Sequence, residues 1–130
     1  MVNIIVPYEG YVKKTAKNYF VPEHLAIGVA VLENGGGVDK TSRAGCRGIM
    51  QLCKDVAKGY GAIRQETIEV SVGKGKKKHT IKKEIWVDCR GNPIINIDAG
   101  LHYLSDLYRN DFHDWGFSIQ AYHAGPERVK

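Results

Sequence analysis

The 130-residue sequence predicts a mainly helical α+β domain carrying one inserted β-hairpin. Three observations carry this reading. Five segments place apolar residues at the spacings of three and four that put them on one helical face. Between residues 65 and 90 the apolar period changes to two. With 43% apolar and 25% charged residues, the chain is long enough for one sizeable core and short for two. The expected organisation is therefore a single domain, 1–130, with residues 65–90 inserted as a hairpin.

From Tyr11 to Phe20, Val12, Ala16, Tyr19 and Phe20 fall at helical spacing with lysines on the other side, which reads as an amphipathic helix. A second helix is expected to start at Pro22, a residue suited to the first helical position. Its Leu25, Ile27, Val29, Val31 and Leu32 put apolar groups on nearly every face, so it belongs in the middle of the core. It runs to Glu33 and stops at Asn34-Gly35-Gly36-Gly37. The stretch from Gly48 carries Ile49, Leu52, Cys53, Val56, Ala57 and Tyr60 at spacings of three and four, and predicts a third helix ending at Gly59 and Gly61.

The hairpin follows. Ile68, Val70 and Val72 alternate with polar residues, as do Ile81, Ile85 and Val87 beyond a turn rich in glycine and lysine. A fourth helix is expected after Asn96 as N-cap, with Ile97, Leu101, Leu104 and Tyr108 on one face and Asp98 in the first turn. A short fifth carries Trp115, Ile119 and Tyr122 after Asp114.

A net charge of +5 favours anionic partners: nucleic acid, acidic lipid headgroups or bacterial wall polymers. The opening residues lack the basic, apolar pattern of an export signal, and no run approaches the ~20 apolar residues of a membrane span. Cys46, Cys53 and Cys89 have no CxxC spacing, so neither a disulfide framework nor a zinc site is suggested. Their plainest reading is small buried thiols in a reducing compartment. A bond between Cys89 and one of the others stays open.

Cleavage of a glycosidic bond needs a carboxylic acid that still holds its proton near neutral pH, and poor solvation favours that form. One helical turn before Glu33 stand Val29 and Ala30, with Leu32 beside it, and the helix C-terminus adds its negative pole. Alone, a glutamate at a helix end is more simply a solvated surface residue. Three further segments change that reading: Ser42-Arg43-Ala44-Gly45-Cys46-Arg47-Gly48-Ile49-Met50-Gln51, Asn96-Ile97-Asp98-Ala99-Gly100-Leu101-His102-Tyr103-Leu104, and Ala121-Tyr122-His123-Ala124-Gly125-Pro126-Glu127-Arg128-Val129. In order and approximate spacing, Glu33 and these segments resemble the lytic transglycosylases, the soluble, goose-lysozyme-like branch of peptidoglycan-cleaving enzymes. The resemblance covers roughly residues 10–129 apart from the hairpin.

The resemblance implies a lysozyme-like fold, peptidoglycan glycan strands as substrate, and no metal or organic cofactor. It implies Glu33 as the sole catalytic acid and then base, with the sugar's own N-acetyl group assisting and its 6-hydroxyl closing a 1,6-anhydro end. Asn34, Ser42, Met50, Gln51, Tyr122 and His123 are the implied substrate-binding residues, Tyr122 near the scissile bond. Asn34 stands where the family usually has serine, Cys46 where it has alanine, and His123 where it has asparagine. The family's pattern also continues into a helix beyond the position of Lys130, so a minimal member or a piece of a longer one is expected. Asp39, Asp55 and Asp98 read as loop or helix-surface residues. A muramidase using Asp39 or another loop carboxylate is the neighbouring alternative. An inactive glycan-binding component of a phage or secretion apparatus is the alternative from another class. The expected place of action is the bacterial wall, from the periplasm or outside; a phage-encoded enzyme or a trimmed chain needs no signal. The lysine-rich hairpin is expected either to aid solubility or to border the glycan groove and attract anionic wall polymer, with nucleic acid not indicated.

Overall fold

The computed structural model describes residues 6–33 and 41–126. After a short 3₁₀ turn, helix α1 (Glu9–Asn18) buries Val12, Thr15 and Ala16 and turns its lysines outward. Its end is closed by Phe20 in the left-handed region (φ 60°), which lets the Val21 N–H reach back to the Ala16 carbonyl at 2.9 Å. Helix α2 (Glu23–Glu33) follows at once. Pro22 sits just ahead of it, its carbonyl accepting from Leu25 and Ala26.

Helix α2 is not the centre of the core. Only Ala26, Val29 and Ala30 are fully enclosed, and Leu32 is 63% exposed. These small residues let α2 lie close against α1 along one stripe, while Ile27 and Val31 pack only partly against the core and Leu32 faces solvent. The central helix is α4 (Pro93–Asp106), which buries Asn96, Ile97, Ala99, Gly100, Leu101, Leu104 and Ser105.

The expected third helix is shorter than its apolar spacing suggests. Helix α3 spans only Lys54–Gly59, and the residues before it form a tight loop. Arg47 and Leu52 exchange two backbone hydrogen bonds of 3.0 Å across the turn Gly48-Ile49-Met50-Gln51. Gly48 (φ 90°) and Gln51 (φ 51°) are left-handed, which no helix can accommodate. Ile49, Met50 and Leu52 still point inward, so the apolar spacing reports burial by a turn. The loop is bonded across its base by a disulfide between Cys46 and Cys53. The cysteines are therefore not three reduced thiols, and the bond omits Cys89, which is free.

Strands β1 (Ile63–Val72) and β2 (His79–Asp88) pair antiparallel, with Val70 opposite Ile81 and Ile68 opposite Lys83. They bracket the segment the alternation marks, and the ribbon's main contact with the helical body is between β1 and α3. Past it, the N-cap of α4 is Asn92, not Asn96. The Asn92 side chain accepts from the Ile94 and Ile95 N–H groups, and Pro93 opens the helix. A π-helical turn (Leu107–Phe112) closes α4 and ends at left-handed His113. Helix α5 (Trp115–Ala124) is capped by Asp114, whose side chain accepts from Phe117 at 2.9 Å.

Candidate active site

The site is assembled from the inside of α4 outward. Asn96 is fully buried and makes three hydrogen bonds: Oδ1 accepts from the Met50 N–H at 2.7 Å, and Nδ2 donates to the Arg47 and Arg90 carbonyls at 3.0 and 2.9 Å. This satisfies a buried amide and clamps the Gly48–Gln51 turn onto the helix. Gly48 must be glycine on two counts, since its φ is positive and a Cβ would strike Asn96 and the Arg90 carbonyl. Arg90, 3% exposed, donates to the Gly45 and Leu52 carbonyls at 2.7 and 2.9 Å and forks onto Asp88. That fork holds the Asp88 carboxyl down at about 2.

Gly100 brings the third segment in. A Cβ there would lie 2.7 Å from the Met50 Cβ and 3.0 Å from the Tyr122 hydroxyl, so its absence lets loop and α5 meet over α4. The Tyr122 hydroxyl donates to the Met50 carbonyl at 2.6 Å. Burial first, and then the negative charge of Glu33, push this hydroxyl well above the usual tyrosine range, so it stays a donor.

One residue further along α5, His123 meets the end of α2. Its Nδ1 lies 2.8 Å from Glu33 Oε1. The Glu33 side chain is only 10% exposed, whereas that of His123 is 65% exposed. Residues 90 positions apart in sequence thus form a carboxyl–imidazole pair at one edge of the helical body.

Beside this pair runs an open cleft of about 400 Å³, lined among others by Gln51, Cys53, Asp55, Tyr103, Tyr122 and His123. The structure brings Met50, Gln51, Tyr122, His123 and Glu33 together. Ser42 instead shapes the loop, its Oγ accepting from the Cys46 N–H at 3.1 Å. Gln51 lines the cleft, and its Nε2 also donates to the Gly48 carbonyl at 3.0 Å. Asn34 and Asp39 lie outside the described residues. Asp98 accepts from Tyr19 at 3.0 Å, and Asp55, exposed in the first turn of α3 as the sequence suggests, also lines the cleft.

Sequence reasoning missed the disulfide, which lies in that wall, and the Arg90 clamp. An arginine two residues after an aspartate was the available signal for the second. The first had none, since spacing alone does not say which thiols approach. Among the described residues, no group of three or more His, Cys, Asp and Glu side chains is placed to hold a metal ion.

The model of the transglycosylase SLT domain family matches residues 10–130. Among solved structures, the fold is similar to that of the lytic transglycosylase Slt from Pseudomonas aeruginosa, determined by X-ray as an inactive glutamate-to-glutamine mutant. The TM-score is 0.66 at 20% identity, over 97% of this chain and 18% of that one. The likeness is one of fold, and this chain spans less than a fifth of that protein. No curated protein matches this chain.

Proposed function

Since this chain belongs to the transglycosylase SLT domain family, whose enzymes act on peptidoglycan, we propose that it cleaves the β-1,4 bond between MurNAc and GlcNAc with Glu33 as acid and then base. The observation that carries the reading is the Glu33–His123 pair, whose imidazole lines the cleft.

With Nδ1 of His123 as donor to Glu33 Oε1, Oε2 is left to carry the proton toward the glycosidic oxygen. As that proton moves, the C1–O bond breaks and the leaving sugar departs as an alcohol. The substrate's N-acetyl oxygen covers C1 from the other face. Glu33, now a carboxylate, takes the proton of the 6-hydroxyl, and O6 closes on C1 to give a 1,6-anhydroMurNAc end. No water is consumed. The Nδ1–H bond strengthens as charge develops on Glu33, so it stabilises the transition state more than the ground state. Tyr122 is engaged on the Met50 carbonyl and shapes the wall; Met50, its N–H and carbonyl both bonded inside the protein, backs the turn from which Gln51 meets the sugar.

Mass spectrometry of digested peptidoglycan tests the chemistry. The expected products end in anhydro sugars, one water lighter than reducing ends. Glu33→Gln is expected to lower turnover by about 10²–10⁴-fold while glycan binding persists. One specific observation favours a second reading, hydrolysis with water activated by a carboxylate: Asp55 lines the cleft. Reducing ends alone, lost in Asp55→Asn, would establish that reading in place of the first.

A further inference from the structure

The hairpin is left unused by the catalytic reading, and its two faces differ. Paired positions share a face, so Arg64, Glu66, Ile68, Val70 and Val72 stand with Val87, Ile85, Lys83, Ile81 and His79 on one side. Six of those ten are Ile or Val, and Glu66 is their one acid. The other side carries Gln65, Thr67, Glu69, Ser71, Thr80, Lys82, Glu84 and Trp86, with the Lys58 ammonium over the Trp86 ring. No side chain of the apolar side is fully buried, and Ile81 is 42% exposed.

The tip adds charge in a fixed arrangement. A 3₁₀ turn at Gly75–Lys77 is held by Lys77 N–H to Lys74 and Lys78 N–H to Gly75 hydrogen bonds. It relies on Gly73 (φ 88°), where a Cβ would press on the Lys77 carbonyl. Lys74, Lys76, Lys77, Lys78, Lys82 and Lys83 crowd this end, and among the described residues none has an ion-pair partner. With Arg64 they give residues 64–87 seven cations against Glu66, Glu69 and Glu84, so this stretch carries +4 of the chain's +5.

We propose that this ribbon lies flat on an anionic lipid bilayer, its Ile and Val face toward the acyl boundary and Lys83 with the tip lysines on the lipid phosphates. A second copy packed on the same face in register would bring lysine tips together. A soluble polyanion would use the lysines and leave the apolar face wet. A bilayer interface supplies both a phosphate plane and an apolar layer, the combination that amphipathic surface elements exploit. Strands of ten residues give a footprint about 30 Å long. Nucleic acid fits poorly, because Trp86 sits on the opposite face beneath Lys58. The proposal does not depend on the catalytic chemistry.

Co-sedimentation of the whole chain with phosphatidylcholine vesicles, with and without phosphatidylglycerol, at physiological ionic strength tests it. Binding is expected only to the anionic vesicles. Lys76→Gln, Lys77→Gln and Lys78→Gln together should weaken it on the order of a hundredfold, from roughly fivefold per lysine. Val70→Thr with Ile81→Thr keeps β-forming residues and should also weaken it; circular dichroism checks that each variant folds. The proposal is overturned by no binding, by equal binding to neutral vesicles, or by insensitivity to Val70→Thr with Ile81→Thr. The last result, with equal affinity for soluble polyphosphate, would assign a polyanion. Concentration-dependent dimers that exclude vesicles would assign a second copy.

Discussion

At His123 one residue bonds the Glu33 carboxyl that we propose as the acid. The family pattern has asparagine there, whose amide can also donate to a carboxyl oxygen, so the bond to Glu33 does not require an imidazole. His123→Asn is expected to retain most turnover, and His123→Ala to lose more; steady-state rates on peptidoglycan check both, and complete loss in the asparagine variant would contradict this role. Asp88 is the other residue whose environment makes a testable statement. Arg90 holds its folded pKa at about 2, below the usual 3.8, so the stability it contributes is present above that usual value and is lost as pH falls through about 2. Thermal melts across that window should show the loss. Asp88→Asn should be less stable at neutral pH and decline less between 4 and 2.

At the scale of elements, the loop before α3 is held by contacts that differ in kind. Asn96 and Arg90 fix its carbonyls and the Met50 N–H, and the Cys46–Cys53 bond closes its base over a separation of seven residues. A loop that short still restricts the unfolded chain, and the entropic model gives about 2.5 kcal/mol for the cross-link. Reductant should therefore lower the stability of the native chain by roughly 2 kcal/mol and leave a Cys46→Ala, Cys53→Ala variant unmoved, as read by denaturant unfolding. Because the same loop presents Gln51 to the cleft, the Michaelis constant should rise with the loss of the bond.

For the molecule as a whole, we propose that the hairpin is an insertion on a single helical domain, since its packing against the body is concentrated where β1 meets α3. Replacing residues 67–84 by a two-residue turn between the paired Glu66 and Ile85 should leave the body's melting and glycan cleavage close to native, while surface binding disappears. Collapse of the fold would show the ribbon to be part of the core. The sequence by itself determined the helical class, the two-stranded ribbon and a short last helix after Asp114. Those features rest on local period and on turn chemistry. Only the tertiary structure decided that α4, not α2, is the centre, because Leu25, Val31 and Leu32 are as apolar as core residues and nothing local says whether a face finds cover. It decided that Asn96 is a clamp rather than a cap, since its partners lie 46 and 49 residues away at Met50 and Arg47. It also paired Cys46 with Cys53 and set Asp55 on the cleft wall. Those facts depend on which distant segments approach, and chain period carries no information about that.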